Sequence, residues 1–313
     1  MELISTKIHL DFVRFSWVAY ILSGLMIVAG AISLATQGLN PGIDFSGGTL
    51  VQVRFQAPPP LPEIRAALAE LGLGDVVIQE FGAREEIIIR VEKQSEVGGK
   101  PSELAQRIVS ILEPLASNRS VELRRVEFVG PQVGQELVRQ GFMAMLYSMV
   151  AILIYVAWRF ELRFSYGAII ALIHDTFVTV GLLSMLQKEF TLVIVAAILT
   201  LVGYSINDTI VVYDRIREEM KRRKKMDLAE VINIAINQTL SRTIITSGTV
   251  LLVLVALFFF GGEVIHDFSL TLLFGIIVGT YSSIFVASPI VLFFERKRSG
   301  RMTGASKSQG GGS

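Results

Sequence analysis

Two acidic residues stand inside stretches that are otherwise built for an apolar environment, each beside another polar residue. Asp208 follows Asn207 in "LVGYSINDTIVVYDRIREE" (201–219), and Asp175 follows His174 in "ALIHDTFV" (171–178). A carboxylate in hydrocarbon is costly, because burial disfavours the charged form. Such a group can take up and release a proton, which is what a proton relay requires. Arg242, where the apolar run "TIITSGTVLLVLVALFFF" (243–260) begins, carries a side chain long enough to reach toward Asp208. A guanidinium favours the charged form and opposes burial, so the pair would hold Asp208 close to a switching point. Ser205 and Asn207 add hydrogen-bonding groups able to satisfy a neutral acid.

Each residue also has a structural reading. Asp208 can be a hydrogen-bonded Asp that never titrates, and Asn207 is as good a packing amide as a relay element. Arg242 can snorkel to lipid headgroups, and His174 suits a hydrogen-bonded core histidine. Adjacent helical residues point about 100° apart, so of His174 and Asp175 at most one faces a given neighbour. Asp175 is the one expected to face the bundle interior. Asp214, Arg215 and Arg217 are expected to form a solvated interfacial face.

Other chemistry is excluded by residue type. The chain has no cysteine, which removes disulfides, thiolate metal sites and thiol nucleophiles. His9, His174 and His266 are too scattered for a metal site. Gly42, Gly47 and Gly48 surround Asp44 and Phe45 but lack the Lys-Ser/Thr of a phosphate loop and lead into a strand. A turn is expected there, with no ATP site, hydrolase triad or cofactor.

These residues need elements to position them, and composition says which. Of 313 residues 51% are hydrophobic and 18% charged, with a mean hydropathy of +0.55. A soluble domain has about a quarter of its residues charged. Six stretches, 15–36, 138–158, 164–186, 190–213, 243–261 and 267–294, have the length and apolarity of membrane spans. Ala29-Gly30-Ala31 has the spacing of a signal-peptide cleavage site, but apolar residues continue to Ala35, which marks an anchor. At 1.5 Å per residue Asp208 lies about 26 Å into its span, and the His174-Asp175 pair about 16 Å into the third. Gly275 and Gly279 have GxxxG spacing, which favours close helix approach.

Lys and Arg concentrate on one side: Lys7 and Arg14, then Arg159 and Arg163, then seven between Arg215 and Lys225, then Arg296, Lys297, Arg298 and Arg301. The short links opposite offer Lys188 alone. Both termini are therefore expected in the cytoplasm. The expected division is 1–36 for the N-terminus and first span, 37–134 for one external domain, 135–299 for five further spans, and 300–313 for a flexible tail whose GGGS end has the composition of an added linker. The external domain reads β-α-β-β-α-β, a ferredoxin-like pattern. Within 214–242 a basic loop leads to an amphipathic helix, with Leu228, Val231, Ile232, Ala235, Ile236 and Leu240 on one face, expected to lie on the inner surface.

The stretches "NPGIDFSGGTLV", "HD" in the third span, "VGYSINDTIVVYDRIRE" and "NQTLSRTIITSG" occur in order along nearly the whole chain and resemble the SecF family, membrane subunits of the bacterial SecDF protein-export complex. The resemblance implies a six-helix half of a resistance-nodulation-division bundle in the inner membrane. It implies SecD as partner, the SecYEG channel, YajC and YidC as further associates, and unfolded exported polypeptide at the external domain. No nucleic acid is implied. It also implies that proton-motive force assists protein movement, with Asp208, Arg242, Asp175 and Asn207 as the relay and His174 and Ser205 as secondary candidates. Oxygens of Asp208, Asn207 and Ser205 suit sodium as well, so the coupling ion stays open between H⁺ and Na⁺. Half of a small-molecule exporter of the same superfamily is the alternative; the small external domain argues against it.

Overall fold

The computed structural model describes residues 10–71, 76–81, 83–91, 100–116 and 120–295. The sequence expectations for Lys7, His9, the turn at Gly82, the basic flank from Arg296 and the tail 300–313 lie outside these residues. In chain order the elements are α1 (Phe12–Thr36), β1 (Asn40–Pro41), α2 (Ile43–Ser46), β2 (Gly48–Arg54), α3 (Leu61–Ala69), β3 (Val76–Phe81), β4 (Ala83–Val91), α4 (Pro101–Leu115), β5 (Glu122–Val129), α5 (Pro131–Arg159), α6 (Leu162–Met185), β6 (Glu189–Phe190), α7 (Leu192–Arg222), α8 (Leu228–Phe260) and α9 (Glu263–Ser282). A π-helical segment, Ser283–Ala287, carries the last helix on toward Glu295.

Six helices among the described residues are long and apolar enough to cross a membrane: α1, α5, α6, α7, α8 and α9 with its continuation. They match the six stretches read from the sequence. Three of them run beyond their apolar cores. α5 begins at Pro131, where a proline with no N–H to lose suits a first helical turn. α7 reaches Arg222, past the apolar limit at 213. The third is α8, in which the expected surface helix and the fifth span are one uninterrupted helix. No proline interrupts 228–260, so nothing forces the ladder to break.

The apolar face of 228–240 also goes somewhere other than expected. Ile232, Ala235 and Ile236 are buried in protein, in a core with Val212, Tyr213 and Ile216 of α7, rather than laid on a lipid surface. The polar side of the same segment caps α1. Asn237 Oδ1 accepts from Leu10 N and Asn233 Oδ1 from Val13 N, both at 3.0 Å, while Asn233 Nδ2 donates to Asp11. Free amides at a helix start need such acceptors.

The chain divides into two compact units. In the helical unit, α1 and α6 meet backbone to backbone: a Cβ on Gly181 would lie 2.7 Å from Gly30 Cα. A second unit, Pro41–Ala144 with Glu189–Leu192, contains the sheet. Its strand order is β3-β4-β2-β5, with every neighbouring pair antiparallel. With α3 and α4 as crossovers this is the ferredoxin-like arrangement expected. Val51 and Val53 on β2 and Ile87 and Ile89 on β4 alternate along their strands, so both pairs face one side. They bury Ile64 and Leu68 of α3 and Leu104, Ile108 and Leu112 of α4, spaced at four residues along each helix. The turn expected before β2 contains the single helical turn α2. Gly47 and Gly48 leave it at φ +72° and +111°, a region that disfavours other residues.

Candidate functional site

Asp175 and Asp208 are both buried, at 1% and 6% exposure, and each is held by hydroxyl groups from other helices. Asp175 is the more fully satisfied. Ser205 Oγ of α7 and Ser282 Oγ at the end of α9 donate to its Oδ2 at 2.5 and 2.8 Å. His174 Nδ1 stands 2.9 Å from its Oδ1. The other ring nitrogen, Nε2, lies 3.0 Å from Ser23 Oγ on α1, and Ser23 in turn is 3.2 Å from the Tyr281 hydroxyl. Four helices thus contribute to one chain of contacts. Although adjacent on α6, His174 and Asp175 both belong to it: Asp175 turns toward α7 and α9, and His174 toward α1. His174 and Ser23 also line an otherwise apolar cavity of about 520 Å³.

Close packing makes this geometry possible. A Cβ on Gly279 would lie 3.1 Å from Ser205 Cβ and 3.6 Å from Asp175 Oδ2. One on Gly275 would lie 2.6 Å from Leu201. The GxxxG spacing is therefore the contact face of α9 on α7. The π segment begins directly after Ser282, and Ser282 and Ser283 are both fully buried. Ser283 Oγ reaches Thr209 Oγ1 at 3.0 Å. An added residue in a helical turn re-aims side chains in this way and is frequent at functional sites.

Thr243 Oγ1 on α8 donates to Asp208 Oδ1 at 2.7 Å, and the Ser283 hydroxyl lies beside the same carboxyl group. Its Oδ2 has no hydrogen-bond partner among the described residues. Arg242 precedes Thr243 but is exposed, and no ion pair joins it to Asp208 among the described residues. A 100° turn of the helix separates the two positions, so with Thr243 facing Asp208 the Arg242 guanidinium makes no ion pair, yet its charge remains within electrostatic reach of the carboxyl group. Asn207 is likewise exposed, on a different side of α7 from Asp208.

The structure therefore gathers Asp175, His174 and Ser205 into one cluster, holds Asp208 on Thr243, and leaves Asn207 and Arg242 on the surface of the chain. The residues that sequence reasoning did not single out are Thr243, Ser282, Ser283, Thr209 and Ser23. All are buried hydroxyl residues; Thr243 and Ser282 bond a carboxylate, and Ser283, Thr209 and Ser23 extend the same polar contacts. Glu219, fully buried near the end of α7, pairs at a spacing of four residues with Arg223 at 2.7 Å and is also within reach of Arg215 and Arg222. Asp214, expected in a solvated face, pairs with Arg159 at 2.6 Å.

Six apolar helices with two buried, hydroxyl-bound carboxylates, and a ferredoxin-like domain inserted after the first helix, define a polytopic membrane protein with ionisable groups inside its helical bundle. The family described as Protein export membrane protein SecD/SecF, C-terminal, matches residues 110–297, and the SecD/SecF GG Motif family matches 32–59. The chain belongs to the SecF family of protein-translocase subunits. It is 58% identical to Protein translocase subunit SecF of Magnetococcus marinus, over 94% of this chain and 95% of that one. It is 48% identical to that of Vibrio alginolyticus, over 93% and 91%. Among solved structures it is similar to SecDF, a translocon-associated membrane protein, from Thermus thermophilus, with TM-score 0.84 and 36% identity. That match covers 94% of this chain but spans 40% of the SecDF chain. A second SecDF structure, in a super-membrane-facing form, gives a TM-score of 0.71 over 97% of this chain and 41% of the other.

Proposed function

We propose that this chain works with SecD in the inner membrane, using the proton-motive force to promote export of unfolded polypeptide through the SecYEG channel. The observation that carries the reading is Asp208: a buried carboxyl group bound by Thr243 through one oxygen, whose other oxygen has no hydrogen-bond partner among the described residues. That other oxygen is where a proton can be added and removed without breaking the Thr243 hydrogen bond. When charged, the group needs Arg242 or water as a counter-partner; when protonated, it needs neither. Helices α7 and α8 would then favour different packings in the two states, and the difference is the work available to the external domain. Asp175 and His174, with Ser205 and Ser282, form the second station. Asn207, on the surface of α7, is free to meet the partner chain.

This reading places both termini in the cytoplasm, following the Lys and Arg distribution, and the sheet domain outside, where emerging polypeptide can bind. Association with YajC and YidC belongs to the same proposal. SecD enters because a half-bundle of six helices provides one side of the rocking pair that alternating movement requires. No resident cofactor is proposed, and the coupling ion is H⁺, with Na⁺ as the alternative. The test uses sealed vesicles containing this chain, SecD and the channel, energised by a proton gradient or a sodium gradient in turn. Export stimulated by the proton gradient alone supports the reading. Stimulation by sodium alone reassigns the ion, and by neither removes the motor function.

A further inference from the structure

The segment Pro41–Gly48 is bound on several sides to the short link that opens α7. Gly42 N donates to Phe190 O at 2.8 Å, and the Phe45 and Phe190 rings lie 5.9 Å apart. Asp44 Oδ2 accepts from Leu192 N at 2.9 Å. Leu192 is the first residue of α7, so a carboxylate from 148 residues earlier in the chain caps this helix. A negative charge at a helix start is favourable for both its hydrogen bond and the helix dipole. The sheet holds the same link from another direction. Arg90 on β4, 2% exposed, donates from Nη2 to Glu189 Oε1 and from Nη1 to Pro41 O, both at 2.6 Å. One guanidinium therefore bridges the two strands of chain that Asp44 and Gly42 also join.

The fit leaves little slack. A Cβ on Gly42 would lie 2.7 Å from Thr191 Cγ2, and one on Gly134 of α5 would lie 3.3 Å from Gly47 N. A Cβ on Gly141 would meet Phe45 at 3.7 Å and Leu192 at 3.8 Å. The glycines here permit close approach of three pieces of chain. From Leu192 the helix runs unbroken to Asp208, a length of roughly 24 Å at 1.5 Å per residue.

We propose that Asp44, Arg90 and Glu189 are positioning residues that clasp the first turn of α7 to the sheet domain, so that displacement of the helix carrying Asp208 is passed to that domain without a hinge at 189–192. The inference rests on the relay reading of Asp208. It differs from a merely stabilising role in one consequence: the clasp stays shut throughout the working cycle, so replacing it with a covalent bond is tolerated.

The chain has no cysteine, so the pair Gly42→Cys and Thr191→Cys supplies the only thiols. The full chain, with SecD, the channel and the rest of the ATP-driven export machinery in sealed vesicles, is assayed as this pair and as the pair combined with Asp44→Ala, oxidised and reduced. Hydrogen exchange of the Leu192 amide is followed in parallel. The expected result is that Asp44→Ala speeds Leu192 exchange and lowers gradient-driven export about tenfold, while ATP-driven export persists. Oxidation restores gradient-driven export in the Asp44→Ala chain and leaves it unchanged in the chain with Asp44 intact. If Asp44→Ala does not insert, the pair alone decides: export that stops on oxidation and returns on reduction means the link must open, which overturns the clasp. Normal gradient-driven export by Asp44→Ala with fast Leu192 exchange also overturns it, as does failure of oxidation to restore export. An Asp208→Asn control separates the two ideas, because unchanged gradient response there removes the relay and not the clasp.

Discussion

Thr243 Oγ1 lies 2.7 Å from Asp208 Oδ1, and through this hydrogen bond α8 holds the carboxyl group of α7. The partner of the buried acid in this structure is thus a hydroxyl, and the guanidinium one residue away is exposed. Thr243→Val keeps the shape and removes the donor. A hydrogen bond to a charged group contributes about 1.5–3 kcal/mol, so gradient-driven export should fall tenfold or more while the chain still inserts. Thr243→Ser should recover most of it. Parallel export assays of the two variants make the comparison, and equal activity would show that the hydroxyl is incidental.

Asp175 accepts from two serines and contacts His174. Asp175→Asn puts an amide among hydroxyl donors and leaves buried groups unsatisfied. Thermal unfolding in detergent should register a loss of about 2–4 kcal/mol, whereas Ser282→Ala should cost about 1 kcal/mol. A variant of Asp175 as stable as the parent would mean the cluster is relaxed by water.

The glycines separate packing from propensity. Gly181→Ala drives a Cβ to 2.7 Å from Gly30 Cα, which is backbone and cannot rotate away. Overpacking of this kind costs about 1–3 kcal/mol. Gly248→Ala on α8 meets nothing within 4 Å and should be neutral or stabilise by up to about 1 kcal/mol. Melting curves of the two variants should move in opposite directions.

The sheet domain has its own core in Val51, Val53, Ile87 and Ile89 with two helices. A fragment cut at Asn40 and Gln132 should fold alone, with mixed helix and strand in circular dichroism and one cooperative melt. An unfolded fragment would show that residues such as Glu189, which pairs with Arg90, complete it.

The spans and the sheet were legible because long apolar runs and two-residue alternation are strong signals, and a carboxylate inside such a run stands out by its cost. What was hidden followed from tertiary packing. Residues 228–240 read as a surface helix because an apolar face is equally suited to lipid and to protein, and only the fold shows that Ile232 and Ile236 share a core with Tyr213 and Ile216. Thr243 and Ser282 were invisible because hydroxyl residues are ordinary in membrane helices and often bond their own backbone. Arg242 drew attention by its charge, yet helical rotation favoured its neighbour. Asp44 looked like part of a turn, since its partner Leu192 is 148 residues away.

The proposed cycle requires Asp208 to be alternately charged and neutral during export. Its most direct measurement is gradient-driven export by Asp208→Asn in sealed vesicles with SecD, the channel and the rest of the ATP-driven export machinery, compared with ATP-driven export in the same vesicles. The variant keeps the size of the side chain and an acceptor for Thr243 but has no proton to exchange. Normal insertion, normal ATP-driven export and no response to the proton gradient are expected, with partial recovery in Asp208→Glu. Export by Asp208→Asn that still rises with the gradient, and falls when it is collapsed, would contradict it.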